Sequence, residues 1–149
     1  MPNHPTFDRD AYSVLSVDAK FSYCKASLLS MRDTLKPEMP LDDIHLPYLS
    51  AITGELQEYL KLFGPIVNEA SSQMDAHDIE FLENSCQSIG SVYKALRQAT
   101  NHLRVAREAL TITEAQKRKG VTFDTDLKFK YYDCLQNVHD ALTTALQNI

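Results

Sequence analysis

Between Asp75 and Thr113 the apolar residues Leu82, Cys86, Ile89, Tyr93, Leu96, Leu103 and Leu110 fall on one three–four spacing, with Thr100 and Arg107 at the two seam positions where it turns polar. That spacing holds one narrow stripe along a helix. The segment reads as a single helix reaching roughly 57 Å at ~1.5 Å per residue, longer than any other element of the chain. It carries a second stripe as well. At ~100° per residue, His102, Val105, Ala109 and Ile112 cluster opposite the first. A helix apolar on two sides must be covered on two sides. The expectation is that this chain covers the first stripe and another molecule the second.

Three further helices follow from the same spacing. The first starts near Asp10 or Ser13 and ends before Pro37, with the seam Val14, Val17, Phe21, Cys24, Leu28, Met31 and Leu35. Its far side carries Leu15, Ala19, Ser22, Ala26 and Leu29, where small residues admit a close backbone. The second starts near Asp43 or Leu46, with Pro47 suited to a first turn. Its seam is Leu49, Ile52, Leu56, Tyr59, Phe63, Ile66 and Ala70. Gly64-Pro65 should kink it without ending it, because the seam keeps its phase. Ser71 to Asp75 makes the next turn, and Asp75 or Asp78 caps the long third helix. Thr113-Glu-Ala-Gln116 has capping-box spacing and marks a short restart, closed at Gly120 behind Lys117, Arg118 and Lys119. The fourth helix is capped by Asp124 or Thr125; its seam is Leu127, Tyr131, Cys134, Val138, Ala141, Ala145 and Ile149, widened by Leu135 and Leu142.

No strand pattern, internal repeat or low-complexity segment is visible. Residues 1–9 hold two prolines and no periodicity, and read as an extended N-terminal arm. Residues 10–149 read as a single four-helix domain. The expected class is all-α, an up-down-up-down four-helix bundle with a long third helix.

Charge and cysteine usage narrow the setting. The formal net charge of -5 works against a non-specific hold on nucleic acid or an anionic membrane. No apolar run approaches the ~20 residues needed to span a bilayer, and MPNHPTFDRD lacks the apolar core of a signal peptide. Cys24, Cys86 and Cys134 are far apart, with no C-x-x-C pair, and each falls at a core-facing position. They are expected as free buried thiols, which places the chain in the cytoplasm.

Two short motifs resemble those of known enzymes. Arg97-Gln-Ala-Thr-Asn-His102 has R-x4-H spacing and resembles the catalytic motif of the HEPN ribonucleases, which are helical bundles. The resemblance implies an arginine and a histidine from two protomers meeting in a dimer groove to cleave RNA. Only those two residues match, and Gln98 stands where the family often has Asn, Asp or His. The two side chains lie roughly 140° apart around the helix at ~100° per residue. Glu55-x-x-Glu58 with Glu80-x-x-Glu83 resembles the paired acidic motif of the all-α nucleotide pyrophosphatases related to MazG. That resemblance implies carboxylates holding Mg²⁺ against a triphosphate. Glu83 stands where the family has aspartate, and Glu58, Glu80 and Glu83 point away from the seams.

The remaining polar groups suggest little chemistry. His45, His77, His102 and His139 form no H-x3-H or E-x-x-H pattern, so no metal site or cofactor is expected. Asp75, His77 and Asp78 sit together at a turn, where a helix cap accounts for them. The basic run Lys94, Arg97, Arg104, Arg107 and Lys117 to Lys119 lacks the aromatic interleaving of a nucleic-acid surface, since only Tyr93 is near. The expected function is that of a small cytoplasmic interaction protein. It acts by binding another macromolecule, a protein rather than a nucleic acid or membrane, and as a homodimer. The interface is expected at Leu15, Ala19, Ser22, Ala26 and Leu29, and at His102, Val105, Ala109 and Ile112. Non-enzymatic binding is the leading expectation, with Arg97/His102 catalysis as the competing one.

Overall fold

Two serines decide where the long seams break. In the computed structural model, which describes residues 7–35, 46–70, 72, 74–120 and 125–149, Ser16 caps a helix by accepting from the Ala19 amide at 3.2 Å. Ser88 does the same for the Ser91 amide, also at 3.2 Å. Each hydroxyl satisfies an amide that a helix start leaves without an intrahelical partner. The described residues are helical with no strand: α1 Arg9–Ser13, α2 Val17–Thr34, α3 Leu46–Val67, α4 Ala76–Ser85, α5 Ile89–Arg118 and α6 Thr125–Gln147.

The all-α expectation holds, but the helix count does not. The single helix expected from Asp75 to Thr113 is two helices, because Cys86 is extended at φ -117° and ψ 140°. Cys86 still buries its side chain, so the apolar stripe runs through the break. The interruption leaves the Gln87 amide outside either helix, and it donates to the Asn148 carbonyl past the end of α6 at 2.7 Å. A tertiary hydrogen bond thus replaces an intrahelical one. The first expected helix is likewise split, and Val14, assigned to its seam, is 83% exposed in the α1–α2 turn. The restart expected at Thr113 does not occur. Helix α5 runs through it to Arg118, because the buried Thr113 hydroxyl donates back to the Ala109 carbonyl at 2.8 Å and caps nothing.

Helix α3 passes through Pro65 and ends at Val67. Its end is a Schellman motif. The Ala70 amide donates to the Pro65 carbonyl at 2.7 Å and the Glu69 amide to the Ile66 carbonyl at 3.4 Å. Glu69 takes the left-handed conformation that makes this possible, at φ 56°. Gly120 does the same job after α5, at φ 69°. The loop expected around Pro37 and Pro40, His45, the Asp124 cap and residues 1–6 of the expected arm lie outside the described residues.

Helix α5 packs most extensively on α6 and next on α3, while α2 touches α3, α4 and α6. Directions follow from individual contacts. Phe21, early in α2, meets Phe63, late in α3, with ring centroids 6.4 Å apart. Tyr93, early in α5, lies against Gly64, late in α3. Gln87, just before α5, meets Asn148 beyond the end of α6. Successive long helices therefore run antiparallel. The core between them includes Leu28, Leu49, Leu56, Leu82, Leu96, Leu103, Tyr131 and Leu142, all fully buried. Cys24, Cys86 and Cys134 are buried free thiols. Among the described residues no helix is long and apolar enough to cross a membrane.

Candidate functional site

Among the described residues the most deeply buried carboxylate is Glu55 on α3, 1% exposed. Tyr59, one turn further along α3, donates its hydroxyl to Glu55 Oε2 at 2.7 Å. Ser27 of α2 donates to the same oxygen. Aromatic rings surround the group: Tyr12, Tyr23, Tyr59 and Phe7 stand with centroids 5.4 to 6.1 Å apart. Burial, with the Glu55 charge behind it, pushes the Tyr23 and Tyr59 hydroxyls and the Cys24 thiol up from their usual ranges. Burial lifts Tyr48 to about 12 and Cys86 to about 11. These hydroxyls and thiols stay protonated at neutral pH, a state that suits packing and hydrogen bonding and not nucleophilic attack. The sequence did signal Glu55, which lies one turn from both Ile52 and Tyr59 on the buried side of α3.

The acidic residues expected to face water divide. Glu80 and Glu83 are exposed. The Glu58 side chain is only 13% exposed and pairs with Arg9 Nε at 3.0 Å and Lys61 Nζ at 3.3 Å. Glu55, Glu58, Glu80 and Glu83 do not gather. Among the described residues the group of three with metal-ligating atoms within 4.8 Å of one another is Asp18, His77 and Asp78. Sequence spacing could not find it, because Asp18 comes from α2 and the other two from α4. Both carboxylates lie in first helical turns, where the helix dipole by itself favours anions.

Arg97 is exposed, with Cζ 5.9 Å from the centre of the Tyr93 ring, and His102 is half-buried. Neither lines the clefts found beside Tyr93, Arg107, His77 or Tyr12. Of the basic run, Arg118 pairs with Glu114, while Arg104 and Arg107 line a cleft against the start of α3.

The expected interface residues also divide. Ala109 is 1% exposed, so it belongs to this chain's own core, and Val105 packs against that core. The reason is that α5 has neighbours on two sides, α3 and α6. Ile112 keeps 44% of its surface. On α2 the picture differs. Ser22 and Ala26 are exposed, Ala19 is half-buried, and Leu29 keeps 38% of its surface; Leu15, in the turn just before α2, keeps 37%.

Comparison of the chain with protein-family models, with curated proteins and with solved structures finds no match.

Proposed function

We propose that this chain is a cytoplasmic interaction protein, an up-down-up-down bundle of α2, α3, α5 and α6 that works by binding another macromolecule, and that it is a homodimer through the outer face of α2. The observation that carries the reading is where apolar surface is left open. Of the six large apolar residues left exposed among the described ones, four lie between Val14 and Leu29: Val14, Leu15, Tyr23 and Leu29. Such clustering marks association sites.

The pattern of the face favours a second copy as occupant. Leu15 and Leu29 are equally spaced about Ser22, with Ala19 and Ala26 between them. A two-fold axis at Ser22 sets Leu29 of one copy opposite Leu15 of the other, so one patch covers its own copy. Three free buried thiols accord with a reducing compartment.

Sedimentation of wild type and Ala26→Arg tests this. Ala26 is exposed, so the variant folds, and an arginine on the seam of the dimer separates the copies. The expected result is a wild-type dimer and a monomeric variant. A wild-type monomer at micromolar concentrations overturns the dimer.

A further inference from the structure

We propose that the groove between the start of α3 and the second half of α5 binds a phosphate monoester. It is a cleft of about 380 Å³ lined by Leu46, Ser50, Arg104, Arg107, Glu108 and Thr111. Arg107 is half-buried there, and its Nε is shut away from solvent with no hydrogen-bond partner. Buried donors are nearly always paired, so a guanidinium group short of an acceptor, on a residue that lines a cleft, points to one that arrives with a ligand. Among the described residues neither Arg104 nor Arg107 has an ion-pair partner within 4 Å. Two uncommitted guanidinium groups in one cleft stand out in a chain of net charge -5.

The donor set selects the ligand. Arg104 and Arg107 are three residues apart on α5 and so share a face, and both line the cleft. A carboxylate is saturated by a single guanidinium fork, whereas a phosphate monoester offers three terminal oxygens to the two forks and the Ser50 hydroxyl. Leu46 is the first residue of the 22-residue α3, so the positive end of that helix dipole faces the same cleft. Glu108 is the carboxylate lining it. Together with the net charge, it works against a polyphosphate or a nucleic-acid backbone and leaves room for one isolated dianion. The site lies on α3 and α5, away from the α2 face, and is independent of the dimer.

The test is a ¹H–¹⁵N titration of the full chain with inorganic phosphate, compared with chloride at equal ionic strength. Saturable shifts are expected at the Ser50 amide and at the Nε–H groups of Arg104 and Arg107. Arg107→Gln should weaken binding by about tenfold or more, as for a lost charge-assisted hydrogen bond. Lys94→Gln, on an exposed residue outside the cleft, should leave it unchanged. Should Arg107→Gln fail to fold, Arg104→Gln carries the test, since Arg104 is exposed. Parallel titrations with O-phosphoserine and 5′-AMP separate the sources: tighter phosphoserine binding assigns the cleft to a phosphorylated side chain, tighter 5′-AMP binding to a nucleotide. Shifts that never saturate, that chloride reproduces, or that survive unchanged in Arg104→Gln overturn the site.

Discussion

Glu55→Ala is the substitution whose cost follows most directly from the structure. Two hydroxyls, Ser27 and Tyr59, end on its Oε2, in a place only 1% exposed. Water cannot take over as acceptor there. The Ser27 and Tyr59 hydroxyls are also within hydrogen-bond reach of each other, so one donor is left orphaned, at a cost of ~1–3 kcal/mol. Relief from desolvating a carboxylate works the other way and pulls the value toward the low end. Against a total stability of ~5–15 kcal/mol the loss is a large share of the fold. Urea unfolding followed by circular dichroism measures it, with Glu83→Ala, on an exposed residue, as the control expected to change by less than about 0.5 kcal/mol. A double-mutant cycle of Ser27→Ala with Glu55→Ala isolates the shared hydrogen bond, and the coupling should be about 1.5–3 kcal/mol for a charged acceptor. A Glu55→Ala loss as small as that of Glu83→Ala, or a coupling of zero, would refute the argument that the hydroxyls depend on this carboxylate.

The turn after α3 and the buried tyrosines give two more expectations. Glu69 sits at φ 56°, a conformation that costs a side-chain-bearing residue ~1–2 kcal/mol, part of which glycine returns as backbone entropy; Glu69→Gly should therefore stabilise by about 0.5–1 kcal/mol in the same urea assay, and a destabilised variant would count against the Schellman geometry. The raised tyrosines predict loss of stability in alkali. An unfolded tyrosine titrates near 10, while folded Tyr48 holds its proton to about 12 and Tyr23 and Tyr59 are raised too. Between those values the unfolded chain binds fewer protons than the folded one, so stability is fully present below about pH 10 and falls as pH rises. A urea midpoint that stays flat from about pH 9 to about pH 12 would contradict the burial of these hydroxyls.

The three–four seams made most of the helical content legible. Phe21, Cys24, Leu28 and Met31 are buried on α2 as their spacing requires, and Tyr131, Cys134, Val138 and Ala141 are buried on α6. What periodicity could not show is an interruption that keeps its phase. Cys86 leaves the helix yet stays in the core, and the amide beside it finds Asn148 on a different element. A partner so distant in sequence leaves no local trace, and Ser88 looks like any serine until its hydroxyl is seen on the Ser91 amide. The Glu55–Glu58 pair shows a different limit of spacing. The acidic spacing Glu55-x-x-Glu58 drew attention to a pair, but the two carboxylates sit apart in environment, one locked among hydroxyls and the other held by Arg9 and Lys61. The Arg104–Arg107 cleft was visible only as two members of a basic run, because its other wall comes from α3.

The two apolar stripes of α5 and the small-residue face of α2 looked equivalent in the sequence, and packing separates them. A stripe needs cover in proportion to the neighbours its helix lacks. Helix α5 lies between α3 and α6, and the extensive packing on both accounts for two apolar sides without a second molecule. Ala109 at 1% exposure is the consequence. Helix α2 has only limited contact with α3, α4 and α6, and its outer residues Ser22, Ala26 and Leu29 meet no other helix closely enough to be buried. Apolar area left in water costs ~25 cal/mol per Å² relative to burial, so the drive to find cover falls on α2 and not on α5. Charge introduced at Ala26 should therefore act on association, while the same charge at Ala109 should act on folding, because it would stand unpaired in the core.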